Sequence, residues 1–218
     1  MIRKIIWKFS GVDGLIQGKP SVAESNVIFG AWDRYLYCLD KKTGSLKWKW
    51  SNGKPQILYS PGNIFPVCVA DIVFIVAPDR YMTAIKISTG KEIWRTNRHM
   101  VRESMGSSPD GSTIYAKLMN DTIIAISGIT DPPGTIWAVN AGFGYEHNPC
   151  PILATNEIVV ASTRNGLVVG LDPISKNIMW KYKAGTSSVN KVIMDSRRTF
   201  WLTLTEGKIV GFRIEGNL

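Results

Sequence analysis

The fold is decided by the stretch IFGAWDRYLYCLDKKTGSLKW, which covers residues 28–48. Short apolar runs alternate in it with turn-forming residues, a pattern typical of strand, turn, strand, turn and strand. We predict strands over residues 27–31 and 36–40, joined by a turn at Asp33-Arg34. A third strand follows at the end of the stretch, so the whole segment forms part of one antiparallel sheet.

Four further copies of this segment follow in the chain. The predicted turns are Asp33-Arg34, Asp79-Arg80, Asn120-Asp121, Asn165-Gly166 and Glu206-Gly207, spaced by 46, 41, 45 and 41 residues. Five residues after each turn begins there is a small residue: Cys38, Ala84, Ala125, Gly170 and Gly211. A repeat of this length is typical of β-propellers, in which each copy forms one blade.

The tryptophans follow the same period. Trp48, Trp94 and Trp180 each lie 15 residues after their turn begins, whereas Trp137 lies 17 after its own, which we attribute to an additional turn over residues 131–134. We predict that each small residue lies beneath the tryptophan of the next blade, because large and small side chains together fill the space between two sheets.

The two ends of the chain carry incomplete repeats. Trp7 lies in a strand-like segment with no turn before it, and the fifth repeat has no tryptophan. We therefore predict that residues 2–9 form a strand completing the last blade, residues 188–214. The prediction is a single all-β domain over residues 1–218, a five-bladed β-propeller of four-stranded antiparallel blades closed by the N-terminal strand, which protects its sheet edges. The alternative is that Trp7 belongs to a preceding blade of a larger ring.

Composition limits the possible functions. The chain has 218 residues, 44% of them hydrophobic, and a net charge of +9 from 26 basic and 17 acidic residues. The basic residues are scattered along the chain, so we do not expect nucleic-acid binding. The longest apolar run, residues 67–77, is short and contains Asp71, so we expect no membrane span. Three cysteines without paired spacing do not make a disulfide framework.

The start of the chain leaves its compartment open. The apolar part of residues 1–9 is too short for a secretory signal. We therefore expect either a cytoplasmic chain or one from which a leader has been removed. We also expect a monomer or a part of a larger polypeptide.

The motif Leu39-Asp40 followed by Thr43-Gly44 and Trp48 resembles the repeat of quinoprotein-type, pyrroloquinoline-quinone-like propellers. The motif is complete in the first repeat, partial in the second and fourth, and eroded in the others. Quinoprotein dehydrogenases carry adjacent cysteines beside their cofactor, and this chain has no adjacent cysteine pair. The resemblance therefore implies the fold, and we expect no cofactor.

A closer resemblance covers residues 102–190. The segments 103–106, 115–117 with 119–121, and 144–151 are similar to the propeller region that follows the phosphatase domain in some bacterial calcineurin-like metallophosphoesterases. Such a phosphatase site needs several histidine and aspartate ligands, and His99 and His147 are the only histidines here. The resemblance implies an accessory propeller without the catalytic domain.

Catalytic or metal-binding constellations are not visible in the sequence. Two histidines and scattered cysteines do not reach metal-ligand spacing, and Asp33, Asp79 and Asp121 are explained by turn geometry. We expect the chain not to be an enzyme and to hold no metal ion.

The loops that lead into the innermost strand of each blade are better candidates for a binding site, because loops on a rigid scaffold carry function. The candidate ligand-binding residues at this axial mouth are Lys19, Tyr59, Asn63, Arg102, Glu103, Tyr145, Glu146, His147, Asn148, Asn190 and Lys191. Their mixture of charged, amide and aromatic groups suits a protein partner or a small polar ligand; alternatively, these groups satisfy one another. A carbohydrate-binding, lectin-like function is a further alternative, and it predicts that Trp32 or Tyr59 is exposed beside polar groups.

Overall fold

The computed structural model describes residues 4–128, 130 and 133–214. These residues contain nineteen strands and one short 3-10 helix. The chain divides into two compact units, residues 1–98 and 99–218. Residues 2–3 of the predicted N-terminal strand, and residues 131–132 of the predicted additional turn, lie outside the described residues.

The first unit contains two four-stranded antiparallel sheets, in which strands follow one another in chain order. The strands of sheet one are β1 Ser21–Ala23, β2 Asn26–Gly30, β3 Tyr35–Asp40 and β4 Leu46–Ser51. The strands of sheet two are β5 Val67–Val69, β6 Ile72–Val76, β7 Met82–Lys86 and β8 Glu92–Thr96. A 3-10 helix, Ile57–Tyr59, lies in the connection between the sheets.

The second unit contains three antiparallel sheets with the same simple order. The strands of sheet three are β9 Val101–Ser107, β10 Thr113–Leu118, β11 Asn120–Ser127 and β12 Thr135–Tyr145. The strands of sheet four are β13 Leu153–Ala154, β14 Val159–Ser162, β15 Leu167–Leu171 and β16 Ile178–Lys183. The described strands of sheet five are β17 Val189–Met194, β18 Phe200–Leu204 and β19 Ile209–Phe212.

The predicted turn residues take the backbone conformation that tight turns require. The second residue of every predicted turn pair has a positive φ: 81° at Arg34, 66° at Arg80, 71° at Asp121, 81° at Gly166 and 81° at Gly207. Four of the five pairs lie in connections longer than two residues. Asn120-Asp121 is assigned to the start of β11, but the chain reverses there as predicted, because Lys117 pairs with Ile123 across these residues. The pairing of β11 with β12 is irregular at this point, and a bulge accommodates the left-handed residue.

The small residues pair with tryptophans of their own sheet. Cys38 lies directly opposite Trp48, and Gly170 lies directly opposite Trp180. Ala84 and Ala125 pair in the same way with the tryptophans of β8 and β12. The prediction that they lie beneath the next blade's tryptophan is therefore wrong. A Cβ added to Gly170 would lie 2.2 Å from the Trp180 ring, so the indole itself needs the small partner on the adjacent strand.

Two tryptophans of the first unit, Trp48 and Trp7, also dock on the turn of a sheet. The Trp48 indole N–H donates to the carbonyl of Ile87 at 2.7 Å, and the indole covers Gly90. The Trp7 indole N–H donates to the carbonyl of Lys41 at 2.8 Å and covers Gly44 in the same way. Trp7 thus occupies on sheet one the position that Trp48 occupies on sheet two, which explains the glycine of the Thr-Gly motif.

The described residues at the start of the chain are not part of a ladder. Residues 4–10 are not assigned to a strand, and the described residues of sheet five form three strands. The predicted single domain, and the completion of residues 188–214 by residues 2–9, stay predictions.

Candidate functional site

The predicted residues of the first unit lie on two loops that are hydrogen-bonded to each other. Lys19 is exposed, whereas Tyr59 and Asn63 are half-buried. The backbone N–H of Gln17 donates to the carbonyl of Gly62 at 3.0 Å, and the Trp32 indole donates to the Gln17 amide oxygen at 3.1 Å. Trp32 and Tyr59 are both half-buried, so these two residues do not form the exposed aromatic platform that the carbohydrate-binding alternative predicts.

The predicted residues of the second unit separate into buried and exposed groups. Glu103 and Glu146 are buried, and Arg102 and Asn148 are half-buried. Tyr145, His147, Asn190 and Lys191 are exposed. The structure brings Glu146 and Asn148 together around a residue that the sequence analysis did not select, Lys117.

Lys117 is the central cation of this cluster, and only 2% of its surface is exposed. Its ammonium donates to the carbonyl of Asn148 at 3.0 Å and to the carbonyl of Ser162 at 2.5 Å. It also lies 3.8 Å from the Glu146 carboxylate. Burial lowers the pKa of Lys117, and the nearby Glu146 carboxylate opposes part of this effect.

Glu146 connects the cluster to two backbone segments. Its Oε1 accepts from the backbone N–H of Asn148 at 2.5 Å, and its Oε2 accepts from the backbone N–H of Arg164 at 2.8 Å. The Asn148 amide in turn donates to the carbonyl of Val189 at 2.8 Å. These contacts join the loop of residues 145–148 to sheets four and five, and Lys117 joins it to sheet three.

Three neutral side chains complete the connections. The Ser104 hydroxyl donates to the Asn148 carbonyl at 3.0 Å and accepts from the Cys150 backbone N–H at 3.1 Å. The Ser162 hydroxyl donates to the Cys150 sulfur at 2.9 Å. Burial raises the pKa of the Cys150 thiol, so the sulfur is a neutral thiol at neutral pH.

A backbone irregularity faces Lys117. The pairing of β9 with β10 shifts between Ala116 and Leu118, so extra residues of β9 bulge opposite Lys117. Glu103 lies in this bulge with φ of 25° and accepts from the Arg102 guanidinium at 3.1 Å. Bulges of this kind redirect side chains locally, and here they make room for the buried lysine.

The loop presents its alternate residues to solvent. Tyr145 is 63% exposed and its ring lies 5.9 Å from the His147 ring, while Glu146 between them points into the cluster. The buried groups therefore hold the 145–148 loop, and the two aromatic rings are exposed to solvent. The cluster's ammonium, carboxylate and hydroxyls are engaged with the backbone and with one another, an arrangement that braces a loop.

Lys117 could have been detected from the repeat. The residues at the same ladder position in the other repeats are Gly30, Val76, Ser162 and Thr203. A lysine at a ladder position where the other copies have small or uncharged residues indicates that this repeat needs a charged group there. Its partners lie 31 and 45 residues away along the chain, and no spacing rule identifies them.

Neither a metal site nor a membrane-spanning helix is found in the described part of the chain. No group of three or more histidine, cysteine, aspartate or glutamate residues is placed there to hold a metal ion. Among the same residues, no helix has the length and the apolar character of a membrane span.

Solved structures similar to this chain define its fold. BamB from Moraxella catarrhalis has a TM-score of 0.73 at 17% identity over 96% of this chain and 64% of that one. The β-propeller domain of Cps50 (Swd1) from Myceliophteria thermophila has a TM-score of 0.74 at 11% identity, over 95% of this chain and 69% of that one. A chain of the mitotic checkpoint complex has a TM-score of 0.71 at 7% identity, over 88% and 58%. The chain therefore has the β-propeller fold, as predicted.

The sequence shows to which protein family the chain belongs. The family model PQQ_2, described as outer membrane protein assembly factor BamB, matches residues 3–146. The chain belongs to this family, which confirms the predicted pyrroloquinoline-quinone-like repeat. It spans less than two thirds of the length of the Moraxella BamB chain. No curated protein sequence matches it.

Proposed function

We propose that the chain is a non-catalytic protein-binding scaffold whose 145–148 loop contacts the partner. The observation that carries this proposal is the contrast within the loop: Tyr145 and His147 are exposed, while Glu146 between them is buried and held by Lys117 and two backbone N–H groups. An aromatic side chain on a fixed loop loses little conformational freedom on binding, and tyrosine is among the residues that contribute most to protein interfaces.

The family suggests the class of partner. Its description names an outer membrane protein assembly factor, so we propose that the partner is a protein component of such an assembly. The two other similar structures are a propeller domain and a chain of a multiprotein complex. The association with a phosphatase domain, implied by the closer sequence resemblance, is a separate proposal, tested by the identity of the partner.

Exposed aliphatic residues favour a protein over a small polar ligand. Beside the predicted residues of the first unit, Leu15, Ile57 and Leu58 each expose more than half of their surface. Aliphatic groups at this exposure gain from contact with another apolar surface, whereas a small polar ligand is recognised mainly by hydrogen bonds. Lys19, Tyr59 and Asn63 would flank such a contact.

Site-specific photocrosslinking tests the proposal. A benzophenone amino acid is introduced at position 145, in the cells that make the protein, and at position 174 as the control. Ile174 is also highly exposed but lies in the turn between β15 and β16. We expect a discrete covalent adduct at position 145 only, and mass spectrometry of that adduct identifies the partner.

Alanine variants then test whether the two rings supply the binding energy. Tyr145→Ala and His147→Ala should reduce the amount of co-purified partner without lowering the melting temperature, because both side chains are exposed. Ile174→Ala is the matched control. Equal adducts at both positions, or full partner recovery with both alanine variants, would exclude this loop as the contact.

A further inference from the structure

The connection between sheets one and two is longer than the repeat requires. It contains 15 residues, 52–66, whereas the connections that follow sheets two, three and four contain 4, 7 and 5 residues. The additional residues include the 3-10 helix Ile57–Tyr59, in which no residue is buried. Long connections of this kind are uncommon in compact domains, and those that are ordered usually carry a function.

Hydrogen bonds hold this connection in place. The Asn52 amide donates to the carbonyl of Tyr59 at 2.9 Å and to the Asp79 carboxylate at 2.8 Å. The carbonyl of Gly62, nearer the other end, accepts from the backbone N–H of Gly18 at 2.8 Å, which joins the connection to the loop before β1. A loop that is already ordered loses little conformational freedom when it binds another molecule.

Two neighbouring aliphatic side chains are exposed on the connection. Ile57 is 62% exposed and Leu58 is 69% exposed. The sheets on both sides of the connection are complete four-stranded sheets, so an incomplete blade does not account for this exposure. Aliphatic groups that are fixed in contact with water gain free energy when another apolar surface covers them.

Three basic side chains flank the aliphatic pair. Arg34 is exposed in the turn between β2 and β3, and the residue after it pairs with the last residue of β4, directly before the connection. Arg80 is half-buried in the corresponding turn between β6 and β7, which the hydrogen bond between Asn52 and Asp79 joins to the connection. Lys54 is exposed within the connection itself.

The aspartates of the same two turns are engaged inside the protein. Asp33 accepts from the Tyr37 hydroxyl at 2.5 Å, and Asp79 accepts from the Arg95 guanidinium at 2.5 Å. Only 4% of the Asp79 side chain is exposed. The turns therefore direct their carboxylates inward, while the arginines that follow them contribute positive charge to the surface.

The charge of the first unit agrees with this arrangement. Residues 1–98 contain 15 basic and 7 acidic residues, a net charge of +8, whereas residues 99–218 contain 11 and 10, a net charge of +1. The connection contains Lys54 and no acidic residue. Asp13 contributes an exposed carboxylate beside the turn of Asp33. A positive surface of this kind attracts acidic partners and repels basic ones.

We propose that the 52–66 surface, made of Arg34, Lys54, Ile57, Leu58 and Arg80, binds an acidic segment of a partner protein that carries aliphatic residues among its carboxylates. The aliphatic residues of the segment cover Ile57 and Leu58, and its carboxylates pair with the basic groups, since a guanidinium can donate two hydrogen bonds to one carboxylate. The inference rests on the proposed protein-binding function, but it does not depend on the 145–148 loop.

A protein segment accounts for both kinds of residue on this surface. A nucleic-acid backbone would pair with the basic groups but would leave Ile57 and Leu58 uncovered. A lipid bilayer would contact two aliphatic side chains, which bury little of the apolar area on which membrane affinity depends.

Three synthetic peptides test the proposal. The probe ELEELLEE carries both carboxylates and aliphatic side chains, QLQQLLQQ lacks the charges, and EAEEAAEE lacks the large aliphatic groups. Fluorescence anisotropy of the labelled probe with the full chain at low ionic strength should show saturable binding that weakens as salt is added. Each control peptide should bind at least about tenfold more weakly than the probe.

Matched chain variants locate the binding site. Arg34→Gln and Ile57→Gln should each weaken probe binding by about fivefold or more, without lowering the melting temperature. Lys42→Gln removes the same charge from an exposed turn between β3 and β4, and Ile174→Gln changes another highly exposed isoleucine. Both control variants should bind the probe as the wild type does.

Several results would overturn the proposal. Equal binding of the probe and EAEEAAEE, or equal loss in Arg34→Gln and Lys42→Gln, would show that net charge alone explains the binding. Absence of probe binding, with variant-sensitive binding of a DNA duplex or of vesicles of phosphatidylglycerol and phosphatidylcholine in equal amounts, would assign the surface to a different ligand. A crosslinked adduct at position 145 without probe binding would remove this inference and leave the proposed function standing.

Discussion

Replacement of Lys117 by methionine tests whether the buried cluster fixes the 145–148 loop. Methionine fills a similar volume but removes the charge and all three donors, so the Glu146 carboxylate loses its buried cation, and the carbonyls of Asn148 and Ser162 lose the hydrogen bonds from the ammonium. Removal of one partner of a buried ion pair costs about 3–5 kcal/mol, because the remaining charge stays buried. We therefore expect the free energy of unfolding to fall by about this amount.

Urea titration, followed by tryptophan fluorescence and by circular dichroism, measures the effect. The midpoint should fall at constant slope, since the denatured state is unchanged. Lys208→Met is the matched control, because Lys208 forms an exposed ion pair with Glu206 at 3.1 Å, and such surface changes are usually within about 0.5 kcal/mol. The double variant Lys117→Met with Glu146→Gln should recover a large part of the loss, since the uncompensated charge is gone.

The pH dependence of the free energy of unfolding is a second test of the same cluster. Burial lowers the pKa of Lys117 below that of an exposed lysine, about 10.4. Between these two pKa values the unfolded chain binds more protons than the native chain, so the free energy of unfolding rises with pH. The stability difference between the wild type and Lys117→Met should thus grow over this interval. A Lys117→Met loss no larger than that of Lys208→Met, or a pH-independent difference, would refute the reasoning.

Three further predictions concern the turns, the tryptophans and the thiols. Arg34→Gly should raise the free energy of unfolding by about 1 kcal/mol in urea titration, since a non-glycine residue at positive φ is strained, and Gly207→Arg should lower it by a similar amount; the opposite signs would contradict this. Trp137→Ala should cost about 3–5 kcal/mol because the indole is buried, whereas a loss as large for the half-exposed Trp201→Ala would show that burial is not the cause. Burial raises the pKa of the Cys68 thiol to about 12, so a colorimetric thiol reagent at pH 8 should label it slowly in the native chain and rapidly in urea; rapid native labelling would contradict the stated cause.

The repeat could be predicted because its determinants are local. A turn pair, a small residue and a tryptophan recur at fixed spacing, and each repeat forms one antiparallel sheet whatever its neighbours are. The Gly44 requirement is only partly local: the positive φ of 72° in the turn favours glycine, and the ring of Trp7, a residue distant in the chain, lies above it and favours glycine as well. Lys176, with φ of 64°, lies in the turn between β15 and β16, so the repeat tolerates a strained residue where the motif is only partial.

Contacts between distant segments could not be predicted in the same way. The pairing of the small residues with tryptophans of their own sheet depends on the register between β3 and β4, and period alone does not fix this register. Glu146 and Asn148 are predicted as ligand-binding residues because they lie in a loop that leads into an innermost strand. The structure uses both as internal connectors. Tyr145 and His147, from the same segment, are the exposed residues, and strand-like alternation accounts for the difference.

The fold itself does not explain Lys117. Sheets form in the other repeats with glycine, valine, serine or threonine at the same ladder position, and a buried ion pair is often no more stabilising than an apolar residue of similar volume. An apolar residue at position 117 would leave the carbonyls of Asn148 and Ser162 to be satisfied by other donors, and the loop would lose the contact that joins it to sheet three. Lys117 is therefore better explained by the geometry of the 145–148 loop than by the stability of sheet three. It follows that Lys117→Met with Glu146→Gln, even where stability recovers, should still weaken capture of the partner that crosslinks at position 145.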